Sequence, residues 1–185
     1  MVETDIVRLQ RELQYVQDRL AIQDLVARHA RGHDRHDSQI IASCYWEDGI
    51  DQHGNAVNPG PKYADWINQE HTVASTSHLH FISTHNCEIQ GDEAHCESYV
   101  IVGLLDHGEK TSKLVCGRYI DRLERRDNQW RIALRRGMVD FIMAGDASML
   151  QHPMFKSMGY IRGTWDESDI SYQRPLELET PAPKW

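Results

Sequence analysis

From Thr4 to about Gly32 apolar residues recur in steps of three and four: Ile6, Leu9, Leu13, Val16 and Leu20, then Ile22, Leu25 and Val26. Arg, Gln, Asp and Glu fill the positions between them, so the spacing predicts an amphipathic helix. Thr4 can cap its start and Gly32 can stop it. The stretch is long for one globular helix, which predicts a bend near Asp18 and packing of the first half on a neighbouring subunit. Asp37 or Ser38 then caps a short apolar helix from Gln39 to Tyr45, ending in Trp46-Glu47-Asp48-Gly49. Ile50 to His53 reads as a short strand closed by Gly54-Asn55. Pro59-Gly60-Pro61 reads as a loop, and Lys62 to His71 as a third helix.

After about Ser75 the period changes. Residues 77–90, 94–106, 112–125 and 129–143 are β-rich, separated by Gly91-Asp92, Asp106-His107-Gly108 and Arg126-Asp127-Asn128. Such separators make hairpins, so the stretches form an antiparallel meander. Along the first of them His78, His80, Ile82 and Thr84 share one face and Leu79 and Phe81 the other; either could be the inner face. Helices followed by a curved, mostly antiparallel sheet give an α+β class, with the helices covering the concave face and a conical cavity between them. Residues 1–145 read as this domain, and 146–185 as an extension packing on it or on a neighbouring subunit. Within the extension, Trp165 to Pro175 is expected at the pocket mouth or a subunit interface, and Glu179 to Pro183 is expected to be mobile.

Composition narrows the class. The 185 residues fit one domain, and 20 basic against 28 acidic side chains leave a net charge of −8. That sign disfavours nucleic acid or an anionic membrane as partner. No apolar run reaches the ~18 residues of a membrane span. Met1-Val2-Glu3-Thr4-Asp5 has neither a basic start nor an apolar block, so no signal peptide is expected. Cys44, Cys87, Cys96 and Cys116 lack CxxC spacing and read as reduced, buried small hydrophobes in a cytoplasmic protein. There is no GxSxG, and Gly103, Gly108 and Gly117 form no phosphate loop, so a nucleotide cofactor is not expected.

Eleven histidines are many for this length, and histidine serves as base, acid or ligand near neutral pH. An imidazole facing an apolar cavity needs a partner for its second nitrogen, and a carboxylate from a covering helix supplies one. Such a pair leaves the other nitrogen free to take a substrate proton. Asp34, in Arg31-Gly32-His33-Asp34-Arg35-His36-Asp37, lies at a helix junction where a carboxylate is ordinarily a cap. A rival reading joins His78-x-His80 to Asp51-x-His53 as ligands of Zn²⁺ or Fe²⁺. The glutamate and glycines of a cupin site are absent, and no metal is expected.

Several segments together resemble the SnoaL-like, nuclear transport factor 2-like superfamily. They are Arg19-Leu20-Ala21-Ile22-Gln23-Asp24-Leu25 with Gly32-His33-Asp34, Tyr45 through Asp51, His80-Phe81-Ile82-Ser83-Thr84-His85 running into Glu88 through Ala94, and Trp130-Arg131-Ile132 leading to Arg135 through Asp140. Asp166 through Tyr172 resembles a tail of members from aromatic-degrading bacteria. The nearest patterns are the hexachlorocyclohexane dehydrochlorinase, scytalone dehydratase and bile-acid 7α-dehydratase group. The resemblance implies a cystatin-like conical barrel, cofactor-independent lyase activity and a homo-oligomer, a trimer above all. It places the catalytic aspartate on Asp34 and the base on His80, with Arg135 at a pocket arginine. Asp51 stands where the dehydrochlorinase has a pocket Trp, His29 where the bile-acid enzyme has a Tyr, and Thr84 where many members have Asn. Asp51 makes the pocket more polar. His29, Asp51, His53 and Arg135 are thus the expected substrate-binding residues.

The implied reaction is elimination of water, halide or formaldehyde from a hydrophobic, aromatic or alicyclic compound. Three readings compete: a non-catalytic binding protein, an isomerase of the ketosteroid type with Asp51 or Asp140 as base, and a dioxygenase β-subunit.

Overall fold

The first helix runs further than its sequence caps suggest. In this computed structural model, which describes residues 2–178, helix α1 spans Val2–Asp34; Glu179 to Pro183, expected to be mobile, lie outside the described residues. The helix passes Asp18 without interruption, and the Asp18 carboxylate accepts from Arg125 Nη1 at 2.9 Å and Trp130 Nε1 at 2.8 Å. Before Asp18 the apolar stripe is half exposed (Leu9 56%, Leu13 57%), whereas Ile22, Leu25 and Val26 are buried.

Gly32 does not stop the helix. A Cβ there would meet Ile41 Cγ1 at 2.8 Å, so the glycine admits helix α2 (Ser38–Ser43) to close contact. The left-handed residue that ends α1 is His36, at φ 48°. The Asp37 N–H donates to the Gly32 carbonyl at 2.9 Å and the His36 N–H to His33 at 3.1 Å, which satisfies the last carbonyls of the helix. Asp37 also caps α2, its Oδ1 accepting from the Ile40 N–H at 2.9 Å. One residue therefore closes one helix and opens the next, and this fixes where the side chains of the last turn of α1 are delivered.

Strand β1 (Tyr45–His53) starts earlier than the expected Ile50 because its register shifts between Tyr45 and Ile50, which hides the alternation. A short edge strand β2 (Ala56–Pro59) occupies part of the expected loop, and Pro59 is tolerated there because an edge strand needs no second set of bonds. Helix α3 (Tyr63–Ala74) leads into β3 (Ser77–Gln90), β4 (Glu93–Leu105), β5 (Thr111–Arg126) and β6 (Gln129–Asp146), the meander read from the period. The six strands make one open sheet in the order β2-β1-β6-β5-β4-β3. Every pairing is antiparallel except β1 with β6, which is parallel. Bulges between Ile82 and His85, Cys116 and Gly117, and Arg122 and Leu123 add curvature.

The core lies between this sheet and the helices, with Ile22, Leu25, Ile41, Tyr45, Tyr63, Leu123 and Ile132 in one cluster. His78 is buried while Leu79 and Phe81 are exposed, so the face carrying His78 and His80 is the inner one. After β6 the chain returns to the end of α1. Arg35 Nη1 donates to the Thr164 carbonyl at 2.7 Å and pairs with Asp169 at 3.2 Å, and Trp165 stacks on His36 at 4.2 Å between ring centres. Among the described residues no helix is long and apolar enough to cross a membrane.

Gly32→Ala sets two effects against each other. Alanine gains up to ~1 kcal/mol of helix propensity, but overpacking a filled core costs ~1–3 kcal/mol, and Ile41 is wholly buried with nowhere to go. The expected net loss is about 1 kcal/mol by urea unfolding at unchanged m-value; equal or greater stability would mean that α2 can yield.

Candidate active site

The last residue of α1 reaches the inner face of β3. Asp34 Oδ1 and Oδ2 accept from the His80 backbone N–H at 3.0 and 3.2 Å, and Oδ1 lies 2.7 Å from His80 Nδ1. With both oxygens already accepting, the ring proton sits on Nδ1 and Nε2 carries the lone pair. His80 Nε2 has no hydrogen bond among the described residues, although the side chain is only 3% exposed. Backbone and ring are gripped by one carboxylate, so the imidazole has little freedom to turn.

A second line of polar groups runs beneath the same face. Arg135, wholly buried, gives Nε and Nη2 to the two oxygens of Asp121 at 2.7 Å each. Its Nη1 donates to His29 Nδ1 at 2.8 Å. A guanidinium cannot accept, so His29 is neutral with its proton on Nε2, 3.1 Å from Tyr45 Oη. Tyr45 in turn donates to Asp51 Oδ2 at 2.5 Å, and Asp51 Oδ1 takes His53 Nδ1 at 2.5 Å. His53 Nε2 is left to accept from Tyr63 Oη at 3.3 Å. The structure thus holds a second histidine–aspartate pair, His53 with Asp51. Burial and the Arg135 charge hold His29 well below the usual histidine value. Burial and the Asp51 charge push the Tyr45 phenol well above its own. Burial opposes the Arg135 charge, but Asp121 outweighs it and holds the guanidinium firmly protonated.

The second pair opens on a cavity through His53, and His80 stands on the same face of the sheet as part of the cavity wall. A hollow of about 310 Å³ is lined by His53, Val100, Val102, Val115, Tyr119 and Val139, among others. Val102 is the register partner of His80, so both side chains stand on one face of the sheet. Gly137 makes room for the second imidazole, since a Cβ there would lie 2.7 Å from His53 Cδ2. The volume is at the small end of ligand pockets, which run ~300–1,000 Å³, and the wall is valine and tyrosine. It suits a small ring compound. A larger hollow of about 630 Å³ lies at the tail, around Arg162, Asp169 and Tyr172, and neither histidine–aspartate pair lines it.

Of the residues singled out in the sequence, Asp34 and His80 come together, and His29, Arg135, Asp51 and His53 join in one chain of hydrogen bonds. Arg135 reaches the cavity only through others, its guanidinium lying 4.3 Å over the Tyr119 ring. Asp51 and His53 do not join His78 and His80; the groups of close ligand atoms around that pair take Asp34, His33, His36 and His71 instead. Asp140 is on the surface, bonded to Arg118 at 3.0 Å. Tyr45 and Tyr63, which the sequence offers only as aromatic residues of a pocket or the core, join that chain through their hydroxyls, and Asp121 and His33 are site neighbours that no motif marks. His33 is 1% exposed and lies between His29 and His80, at 4.6 and 4.9 Å between ring centres. A histidine on the same helix stripe as His29 was the one signal available for it.

His29 and His33 are neutral in the fold, His33 through burial and its histidine neighbours. Their values lie below the unfolded 6.5, so the unfolded chain binds more protons and stability falls as pH drops below 6.5. Each contributes up to about 1 kcal/mol of loss between pH 6.5 and 5.5. Urea midpoints measured in EDTA are expected to drop over that interval; a flat or rising profile would show that the two rings are charged in the fold.

The profile of the SnoaL-like domain family matches residues 14–136. A Mycobacterium tuberculosis protein of unknown function, Rv3472, is 30% identical, with a TM-score of 0.61 over 70% of this chain and 75% of that one. The hexachlorocyclohexane dehydrochlorinase LinA-type3 of Novosphingobium barchaimii has a TM-score of 0.67 at 23% identity, over 72% of this chain and 94% of the enzyme. A scytalone dehydratase-like protein of Novosphingobium aromaticivorans has a TM-score of 0.60 at 18% identity, over 77% and 91% of the two chains. At those identities the last two speak for the fold. No protein of curated function matches the sequence. The family match spans the helices and strands that carry both histidine–aspartate pairs, and the chain belongs to the SnoaL-like domain family.

Proposed function

We propose that this SnoaL-like protein is a cofactor-independent lyase that eliminates water, halide or formaldehyde from a small aromatic or alicyclic compound. The observation that carries the reading is the His80 imidazole, fixed by Asp34 at 2.7 Å, with no hydrogen-bond partner for its Nε2 among the described residues. His80 Nε2 takes a proton from carbon or from a phenol of the ring compound, and Asp34 stabilises the imidazolium that forms. For halide or water the electron pair released forms the new double bond as the C–Cl or C–O bond breaks, the departing hydroxide taking the proton from the His80 imidazolium to leave as water. For formaldehyde the proton taken is instead that of the hydroxymethyl O–H, the C–C bond breaks, and the carbon left with the electron pair takes the proton back from His80. His53, on the cavity wall, contacts the substrate, while Arg135 supplies the positive charge behind it and the neutral His29 relays its field through hydrogen bonds. The dehydrochlorinase and the scytalone dehydratase-like protein of the same fold support the lyase class in general. A carboxylate base of the isomerase kind fits less well, because both Asp51 oxygens are engaged and Asp140 is tied to Arg118 on the surface.

A cytoplasmic trimer is part of the proposal. The half-exposed stripe Leu9, Leu13, Val16 and Leu20 on α1 and the exposed Phe81, Phe141 and Met143 on the outer face of the sheet are apolar surface that a second copy would cover.

Two measurements test this reading. Ring compounds bearing hydroxyl, chloride or hydroxymethyl groups, assayed for loss of water, chloride or formaldehyde, are expected to include a substrate. On it, His80→Ala and Asp34→Asn should each lower kcat/KM by ~10²–10⁴ with the fold retained; wild-type rates in both variants would refute the mechanism. Light scattering is expected to give three times the 21.4 kDa chain mass; a monomer mass would refute the assembly.

A further inference from the structure

Next to Asp34 and His80, and outside the mechanism just described, three histidines converge from three elements: His36 from the turn after α1, His71 from α3 and His78 from β3. Their ring centres lie 4.0 Å (His71–His78), 5.2 Å (His36–His78) and 6.3 Å (His36–His71) apart. In each ring one nitrogen is buried without a hydrogen-bond partner: His36 Nε2, His71 Nδ1 and His78 Nδ1. An unsatisfied buried polar atom is costly, and three together call for one shared partner.

The state of His78 is fixed by its surroundings. Its Nε2 lies 2.9 Å from the His33 carbonyl, which can only accept, so Nε2 carries the proton and Nδ1 an unused lone pair. A backbone carbonyl holding the far nitrogen is the support that metal-bound imidazoles ordinarily have. The ring is 2% exposed. Burial, followed by the neighbouring His78, holds His71 down to about 2. Burial likewise brings His78 to about 4 and lowers His36. All three are therefore neutral near pH 7, and a cation would displace no proton from them. His36 and His71 can each put their proton on the other ring nitrogen, so that all three buried nitrogens present lone pairs; a cation takes all three, whereas one water can donate to only two.

Atoms able to act as ligands in these three residues lie within 4.8 Å of one another. Zinc at ~2.0–2.1 Å from each nitrogen would hold tetrahedral ligands about 3.4 Å apart, a gap that ring rotations can close. Trp165 stacks on His36 at 4.2 Å and stands 5.2 Å from His78, so the tail covers the cluster.

We propose that His36, His71 and His78 form a three-imidazole site for a divalent transition-metal ion of the zinc type, with the remaining position left to water or an anion. The site ties the turn after α1, α3 and β3 together at one point beneath the tail, beside the candidate base. It does not depend on the lyase reading.

The test uses untagged full-length protein, stripped with EDTA and titrated with Co²⁺ and then Zn²⁺. Visible Co²⁺ absorption reaching one equivalent per chain is expected, lost on Zn²⁺ addition, with a raised Tm in Zn²⁺. His36→Ala and His71→Ala, checked for native circular dichroism without metal, should each weaken binding by at least about tenfold. Absence of both Co²⁺ absorption and the Tm rise would overturn the proposal, as would undiminished binding in the two variants. So would near-ultraviolet thiolate charge transfer, which would move the ion to the separate His85–Cys87–Cys96 group.

Discussion

The Asp34 carboxylate does two jobs with one group: it receives the backbone N–H of His80 and the proton of the same residue's ring. The first bond ties the end of α1 to β3, and the second sets the tautomer and aim of the imidazole. Because both fall on one residue, helix and strand cannot shift relative to each other without turning the ring. The Asp37 double cap and the left-handed His36 guard that position from the helix side, and the buried His78 guards it from the strand side. Positioning groups so that they need no reorganisation is where such sites gain most over solution.

Behind this pair stands an expensive line of polar groups. Burying a guanidinium is tolerable only with full compensation, and Arg135 has it: two oxygens of Asp121 and one nitrogen of His29. Removing one partner of such a buried pair typically costs ~3–5 kcal/mol. Each hydrogen bond from Arg135 through His29 and Tyr45 to Asp51 has its donor fixed by the one before it. The line is thus polarised towards Asp51, which His53 on the cavity wall meets from the other side with its own ring N–H.

Much of the fold was legible in the amino-acid pattern. The hairpin separators at Gly91-Asp92 and Asp127-Asn128 located the four long strands, since turn chemistry is local. The Asp34–His80 pairing was legible through resemblance, because the contact joins residues whose proximity depends on the whole fold. Gly32 misled, since close approach and chain termination call for the same residue. β2 was missed because four residues with a proline carry no period. Asp121 was missed for a sharper reason. Counting back from the Asp127-Asn128 turn sets Asp121 opposite Leu134, and only the bulge between Arg122 and Leu123 moves it opposite Arg135. A one-residue slip in register hid the partner of a wholly buried guanidinium.

The parallel pairing of β1 with β6 bears on how the molecule comes into being. Ile50 finds Leu134 and His53 finds Gly137 across most of the chain, whereas β3 through β6 can zip up from neighbouring hairpins. During synthesis the amino-terminal third emerges with its apolar side bare and has only the short edge strand β2 to join until β6 has left the ribosome. Contacts so distant in sequence are slow to close. The hollow at their junction is therefore the last part of the protein to take shape, and the helices ahead of it are the part most in need of shelter while they wait.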